Sequence, residues 1–181
     1  MTSQARFNLA DCITAIVEKT ASAADETQLQ IDRDLMTTLH RPETLKVDGE
    51  YDQQAVVTAF LVSMIWGYGT TGYGPYRTAR VLTSDPNAIA HLTETARLAQ
   101  ASADGGTDAF DSIAAARDKA PHLKYLGPAF GTKFLYFLTA ASHTARTTPV
   151  MDAVVRRWFR AHTGIDLVTW TWEKGQYRAY L

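Results

Sequence analysis

The chain has 181 residues, 46% apolar and 20% charged, enough to bury one core and too few for two ordinary domains, so a single domain over 1–181 is expected. The formal net charge of −1 argues against indiscriminate affinity for polyanions, yet the charge is uneven: residues 1–60 carry five basic and ten acidic side chains, 61–117 four and five, and 118–181 nine and four. The one cysteine, Cys12, excludes an internal disulfide and cysteine-built zinc or iron–sulfur sites, which fits a reducing cytoplasm.

Asp11 and Glu18 interrupt the apolar character of the first twenty residues, so no secretion signal is read there, and Phe7, Leu9, Ile13, Ile16 and Val17 recur as one helix face. Residues 21–50 are polar and accommodate a short helix around Leu29 to Leu39. The run AVVTAFLVSMIW (55–66) is too long for a typical strand and reads as a buried helix. It is also well short of the roughly 20 residues that cross a bilayer, so no membrane is expected as a partner. Four glycines and a proline in GYGTTGYGPYR (67–77) forbid regular structure and call for an ordered loop. Helical character resumes at Thr78 to Leu82, and Ser84-Asp85-Pro86 caps a helix to about Ala101. Ser102 to Thr107 breaks the chain before an alanine-rich helix from Asp108 to Ala120.

In the last third, Leu123 to Leu126 ends at Gly127-Pro128, Ala129-Phe130-Gly131 reads as a tight turn, and Thr132 to Ala141 carries Phe134, Phe137, Leu138 and Ala141 on one face. The reading is helix, hairpin, helix. Thr148 as N-cap and Pro149 at the first position open a further helix, with Met151, Val154, Val155, Trp158 and Phe159 as its expected buried stripe. No alternating run of strand length occurs, so the expected class is all-α. Residues 1–50 form its N-terminal helices, 51–117 its Gly/Tyr-rich middle and 118–181 the hairpin and catalytic helix.

GYGTTG (67–72) matches the dinucleotide-binding fingerprint, but Tyr73-Gly74-Pro75 prolongs the loop and no second strand follows, so no nucleotide cofactor is expected. The informative pair is GPAFGTKFLYF (127–137) and TPVMDAVVRRWF (148–159). Lys133, placed in the first turn of its helix, meets a macrodipole that disfavours its charged form. Asp152, nineteen residues on and in the first turn of the next helix, meets one that favours the carboxylate. Environments that push an amine and an acid apart suit them to different catalytic roles. Taken singly, each has a plainer reading: a solvated lysine, a dipole-complementing aspartate, aromatics that pack, and arginines 156, 157 and 160 as a solvated face. His122, His143 and His162 lack metal-ligand spacing, so no metal is expected.

These segments, with a weaker contribution from WGYGTTGYGPYRTARVL (66–82), resemble the helix-hairpin-helix DNA glycosylases, most closely the 8-oxoguanine DNA glycosylase-like branch found in bacteria. The likeness covers the later two-thirds of the chain. It implies a helix-hairpin-helix glycosylase fold and double-stranded DNA with a modified base as partner. Lys133 would attack the sugar C1′ of a flipped-out nucleotide and form a Schiff base, and Asp152 would steady the cationic sugar and accept a proton. Gly127, Ala129, Gly131 and Thr132, with Arg156 and Arg157, would grip the DNA backbone. Trp66, Tyr68, Tyr73, Tyr76 and Arg77 would form the base pocket or wedge.

The same resemblance implies a monomer in the bacterial cytoplasm, at the nucleoid, with no cofactor beyond a potassium or sodium ion held at the hairpin when DNA is bound. The implied activity is excision of an oxidised purine such as 8-oxoguanine, with associated abasic-site lyase activity. The chain departs from that pattern in three places. Ala129 replaces the hairpin's first glycine, tyrosines occupy the 66–77 loop where better-known relatives have asparagines and an arginine, and Gln176 to Leu181 reads as amphipathic helix where relatives continue. Two other readings stay open: a glycosylase for another modified base, such as a modified pyrimidine of damaged or phage DNA, and a non-catalytic helix-hairpin-helix module on DNA backbone.

Overall fold

The long apolar run lies at the centre of the computed structural model, which describes residues 31–69, 74–116 and 122–181. The helix face expected at Phe7 to Val17, together with Cys12 and Tyr73, lies outside the described residues. In chain order the elements are α1 (Arg33–His40), α2 (Pro42–Leu45), β1 (Lys46–Val47), β2 (Glu50–Tyr51), α3 (Gln53–Tyr68), α4 (Gly74–Thr83), α5 (Ala88–Ala99), α6 (Gly105–Ala116), α7 (Pro128–Ala140), α8 (Ala153–Thr163) and α9 (Lys174–Tyr180). The all-α class therefore holds, with one two-stranded ribbon added.

Helix α3 starts where the Asp52 carboxylate accepts the Ala55 amide at 2.8 Å. Every residue from Val56 to Met64 is buried, as expected of a helix that is apolar all round. Helices α1, α5 and α7 pack around it, and Phe60 meets Phe134 of α7 edge-on with centroids 5.5 Å apart.

Helix α1 is fixed to this centre by more than Met36 and Leu39. The ring of His40 is fully buried, with Nδ1 2.6 Å from the Met36 carbonyl and Nε2 2.8 Å from Ser63 Oγ. A carbonyl only accepts, so Nδ1 carries the proton and Nε2 accepts from the serine. Burial lowers the pKa of this imidazole to about 4, and it remains neutral.

Two expectations about the middle of the chain change. Asp48 and Gly49, both at positive φ (51° and 86°), make a two-residue turn that pairs Lys46 with Tyr51 and Val47 with Glu50. An Asp-Gly pair is the usual signal for such a turn, and the sequence reading passed over it. The 66–77 stretch is mostly helical: α3 runs through Trp66, Gly67 and Tyr68, and Gly74-Pro75 opens α4, because proline suits a first helical turn.

The glycines at 105 and 106 begin α6 instead of interrupting the chain. A Cβ at Gly106 would lie 1.8 Å from Thr148 Oγ1, and one at Gly105 would lie 2.5 Å from the Leu98 carbonyl oxygen. Helix α9 closes on α6: Tyr177 is buried and stacks on Phe110 at 4.0 Å, while Arg178 and Lys174 pair with the buried Asp111 carboxylate.

Candidate active site

Pro128 opens α7 behind Gly127 as N-cap, so Ala129, Phe130 and Gly131 form the first helical turn and not the expected hairpin. The tight turn comes earlier, where the Leu126 amide donates to the Leu123 carbonyl at 3.1 Å and Tyr125 takes φ 68° beneath the Arg80 guanidinium. Leu123 to Leu126 is accordingly not helical. Gly131 is a packing glycine: a Cβ there would lie 2.3 Å from the Trp172 ring, whose Nε1 donates to the Leu126 carbonyl at 3.0 Å. Thr132, fully buried, donates to the Pro128 carbonyl at 2.7 Å and accepts the Met151 amide at 2.9 Å.

Gly131 and Thr132, expected among the DNA-gripping residues, are thus buried against protein. Gly127 and Ala129 stay partly exposed at the helix start. Pro128 has no amide hydrogen, and the amides of Phe130 and Gly131 both reach the Gly127 carbonyl, so the Ala129 amide is the one left to point outward.

The same shift moves Lys133 into the second turn, beyond the reach of the macrodipole argument. Its amine is instead held by contacts: Nζ donates to Asp152 Oδ2 at 2.8 Å and to the Ala129 carbonyl at 3.1 Å, and lies 5.2 Å from the centre of the Phe130 ring. Gly67, on the last turn of α3, makes room for this arrangement. A Cβ there would stand 2.8 Å from Phe130 Cε1 and 3.0 Å from Lys133 Cδ. In the sequence Gly67 reads as part of a helix-breaking run and of the GYGTTG fingerprint, neither of which reveals this packing use.

Asp152 is the N-cap of α8, not a first-turn residue, and Thr148-Pro149 belongs to the extended segment before it. Oδ1 accepts the amides of Val154 and Val155 at 3.0 and 3.1 Å, which leaves Oδ2 for Lys133. Partial burial pushes this carboxyl's pKa up. The hydrogen bond from Lys133, the Val155 and Val154 amides and the charge of Lys133 outweigh that effect and hold it below the ordinary aspartate value. The expected anion at a helix start is therefore present, on a cap oxygen.

The pair sits in the wall of a cleft of about 490 Å³, within the 300–1,000 Å³ common for small-ligand pockets. Trp66, Tyr136 and Phe137 line it with Val150, Val154 and Val155, and Arg33 and Thr37 of α1 face it. Trp66 stands edge-on to Phe137 at 5.8 Å. Arg33, Thr37 and Tyr136 were missed because nothing in a helix pattern says which residues of distant segments share a cavity.

Of the expected base-pocket aromatics that fall among the described residues, only Trp66 lines this cleft. Tyr68 stacks on Phe130 at 4.0 Å and, with Arg77, borders a separate pocket of about 200 Å³. Tyr76 lies on α4, 64% exposed.

Of the stripe expected to be buried, Met151 is fully buried just ahead of α8, but Val154 and Trp158 are not covered. Val154 and Trp158 are 62% and 59% exposed, and the helix touches the core only through the partly buried Val155 and Phe159. Arg156 makes two 2.6 Å hydrogen bonds to Asp166 and lies 4.8 Å from the Trp170 ring. Arg157 is exposed.

At the turn where the resemblance places an alkali-metal ion, the carbonyls of Leu123, Leu126 and Gly127 accept protein hydrogen bonds. Among the described residues, no group of three His, Cys, Asp or Glu side chains could hold a metal, and no helix is long and apolar enough to cross a membrane.

Fold and site together define a helical protein that presents a mostly buried amine–carboxylate pair in the wall of an aromatic-lined cleft. The family model described as "Putative 8-oxoguanine DNA glycosylase OGG-like protein" matches residues 2–181, and the chain belongs to that family. Among curated proteins and solved structures no match to the chain was found. The family's description is that of a DNA glycosylase, an enzyme acting on DNA.

Proposed function

We propose that the chain is a glycosylase of the helix-hairpin-helix type that releases an oxidised purine of the 8-oxoguanine kind from double-stranded DNA, and that it cuts the strand afterwards through a Schiff base on Lys133. The observation that carries this reading is the 2.8 Å contact between Lys133 Nζ and Asp152 Oδ2 beside the aromatic cleft. An enzyme working on a base must first extrude it from the duplex, and Trp66, Tyr136 and Phe137 supply the stacking walls for one. Arg157, Gly127 and the Ala129 amide hold the flanking phosphates.

The chemistry follows from the pair. Lys133 passes one proton to Asp152 Oδ2, and the freed lone pair attacks C1′ as the C1′–N bond breaks. The bond's electrons go to the base, which takes the proton from Asp152 and leaves neutral; the carboxylate then faces the cationic sugar. A second proton moves from the nitrogen through Asp152 to O4′ as the C1′–O4′ bond opens, leaving the iminium. Loss of a C2′ proton then expels the 3′ phosphate oxygen with the electrons of the C3′–O bond, and water hydrolyses the imine.

Borohydride trapping on a duplex carrying 8-oxoguanine tests this. The wild type yields a covalent adduct and Lys133→Gln yields none. An adduct that survives Lys133→Gln, or a wild type that forms none on any oxidised purine, overturns the proposal.

A further inference from the structure

Beyond the reacting pair, the cleft offers few polar groups that are free to read a base. Lys133 and Asp152 hold each other, and the Thr37 hydroxyl donates its hydrogen to the Arg33 carbonyl at 2.8 Å, which leaves its oxygen as an acceptor. The guanidinium of Arg33 is different. Arg97, Arg146, Arg156 and Arg178 each hold a carboxylate, whereas Arg33, like Arg41, Arg77, Arg80, Arg157 and Arg160, has none among the described residues; of these six, Arg33 is the one that lines this cleft. It is also the first residue of α1, where the macrodipole disfavours a cation, so the helix gains nothing from it. The platform beneath is rigid: Met36 and Leu39 are buried, and His40 is joined to Ser63 of α3. A charged fork with no carboxylate partner among the described residues, on a fixed helix facing the cleft that holds the nucleophile, is a reading head for a ligand.

From this geometry we propose that Arg33 reads the edge of the extruded base and selects one with a ring carbonyl over one with an exocyclic amino group at the same place. The inference rests on the glycosylase reading above and adds its specificity residue. Guanidinium has five donors and no acceptor, so it matches carbonyl and ring-nitrogen acceptors and meets an amino group donor to donor. The neighbouring Thr37 oxygen accepts, so fork and hydroxyl together suit a purine edge carrying O6 beside a protonated N7, as oxidised guanine does. Oxidised adenine presents an amino group where that carbonyl would be.

Single-turnover base release is measured on duplexes containing 8-oxoguanine or 8-oxoadenine, and borohydride trapping on a duplex with a preformed abasic site, which has no base to read. The wild type releases 8-oxoguanine faster, by about tenfold or more, as one hydrogen bond from a charged donor to O6 allows. Arg33→Gln loses that preference by slowing on 8-oxoguanine alone, Arg33→Lys falls between, and both trap the abasic duplex like the wild type. Preference retained in Arg33→Gln overturns the proposal, as does trapping that falls in step with base release, since the residue then serves the backbone or the fold. A wild type that neither releases a base nor traps the abasic duplex sinks the glycosylase reading itself, and this inference with it. That outcome is distinct from either failure of Arg33, because those leave the wild type active.

Discussion

At the scale of single residues, the site turns on a carboxylate whose two oxygens have separate duties. Oδ1 of Asp152 ends the orphan amides of α8 and Oδ2 engages Lys133. The duties come apart by substitution, because asparagine caps a helix about as well as aspartate while alanine does not cap at all. Asp152→Ala is expected to lose about 0.5–2 kcal/mol of unfolding free energy in urea titrations, the cost of a lost cap. Asp152→Asn is expected to lose less, and neither variant is expected to release a base. Equal destabilisation by the two would mean that the cap is not what the side chain supplies to the fold. The position of the aspartate was legible from its place ahead of Val154 and Val155. Its exact role was not, because Thr148-Pro149 offers an equally good helix start four residues earlier, and tertiary bonds hold that stretch out of helix: the Thr148 amide to Thr139, the Met151 amide to Thr132 and the Tyr177 hydroxyl to the Pro149 carbonyl.

At the scale of elements, glycine was the residue most easily misread. Gly131 stands where a turn glycine would, yet its use is to let an indole lie against α7. Adding a methyl group pushes against Trp172, which is held by the Leu126 carbonyl and tilted onto Phe110 at 5.0 Å. Gly131→Ala is therefore expected to lower the unfolding free energy by about 1–3 kcal/mol, read as a lower urea midpoint, as overpacking does. An unchanged midpoint would remove the packing account. Helix α3 was plain in the sequence because a run that is apolar on every side has one place to go. For α8, the 3.6-residue period marked an apolar face correctly, but periodicity does not say whether anything covers that face, and Val154 and Trp158 are open. The Lys133–Asp152 spacing was readable because both ends lie on local motifs. Arg33 and Gly67 were not, since each reaches the site only through the packing of α1 and α3 against α7.

For the molecule as a whole, stability in mild acid is governed by a group far from any surface. His40 titrates near its ordinary 6.5 when unfolded and at about 4 when folded. Between those values the unfolded chain takes up a proton that the native state refuses, so stability falls as pH falls through that window and changes no further below it. The slope is expected to approach about 1.4 kcal/mol per pH unit at most, and His40→Asn is expected to flatten it. Urea midpoints from pH 7 to pH 4 measure both, and a wild type with no slope there would contradict a buried neutral imidazole. Asp152 acts in the opposite sense to a raised carboxyl. Its contribution is present above the ordinary aspartate value of 3.8 and fades as pH falls below it, so the two groups report in different windows. The uneven charge of the sequence also takes on a different meaning once folded. Asp104 with Arg146, and Asp111 with Arg178 and Lys174, spend much of the positive C-terminal third on acids from the middle of the same chain. With a formal net charge of −1 over the whole chain, little far field is left to draw in a polyanion. For the proposed glycosylase this means that DNA is found by touch, one collision at a time, and not by a pull from a distance.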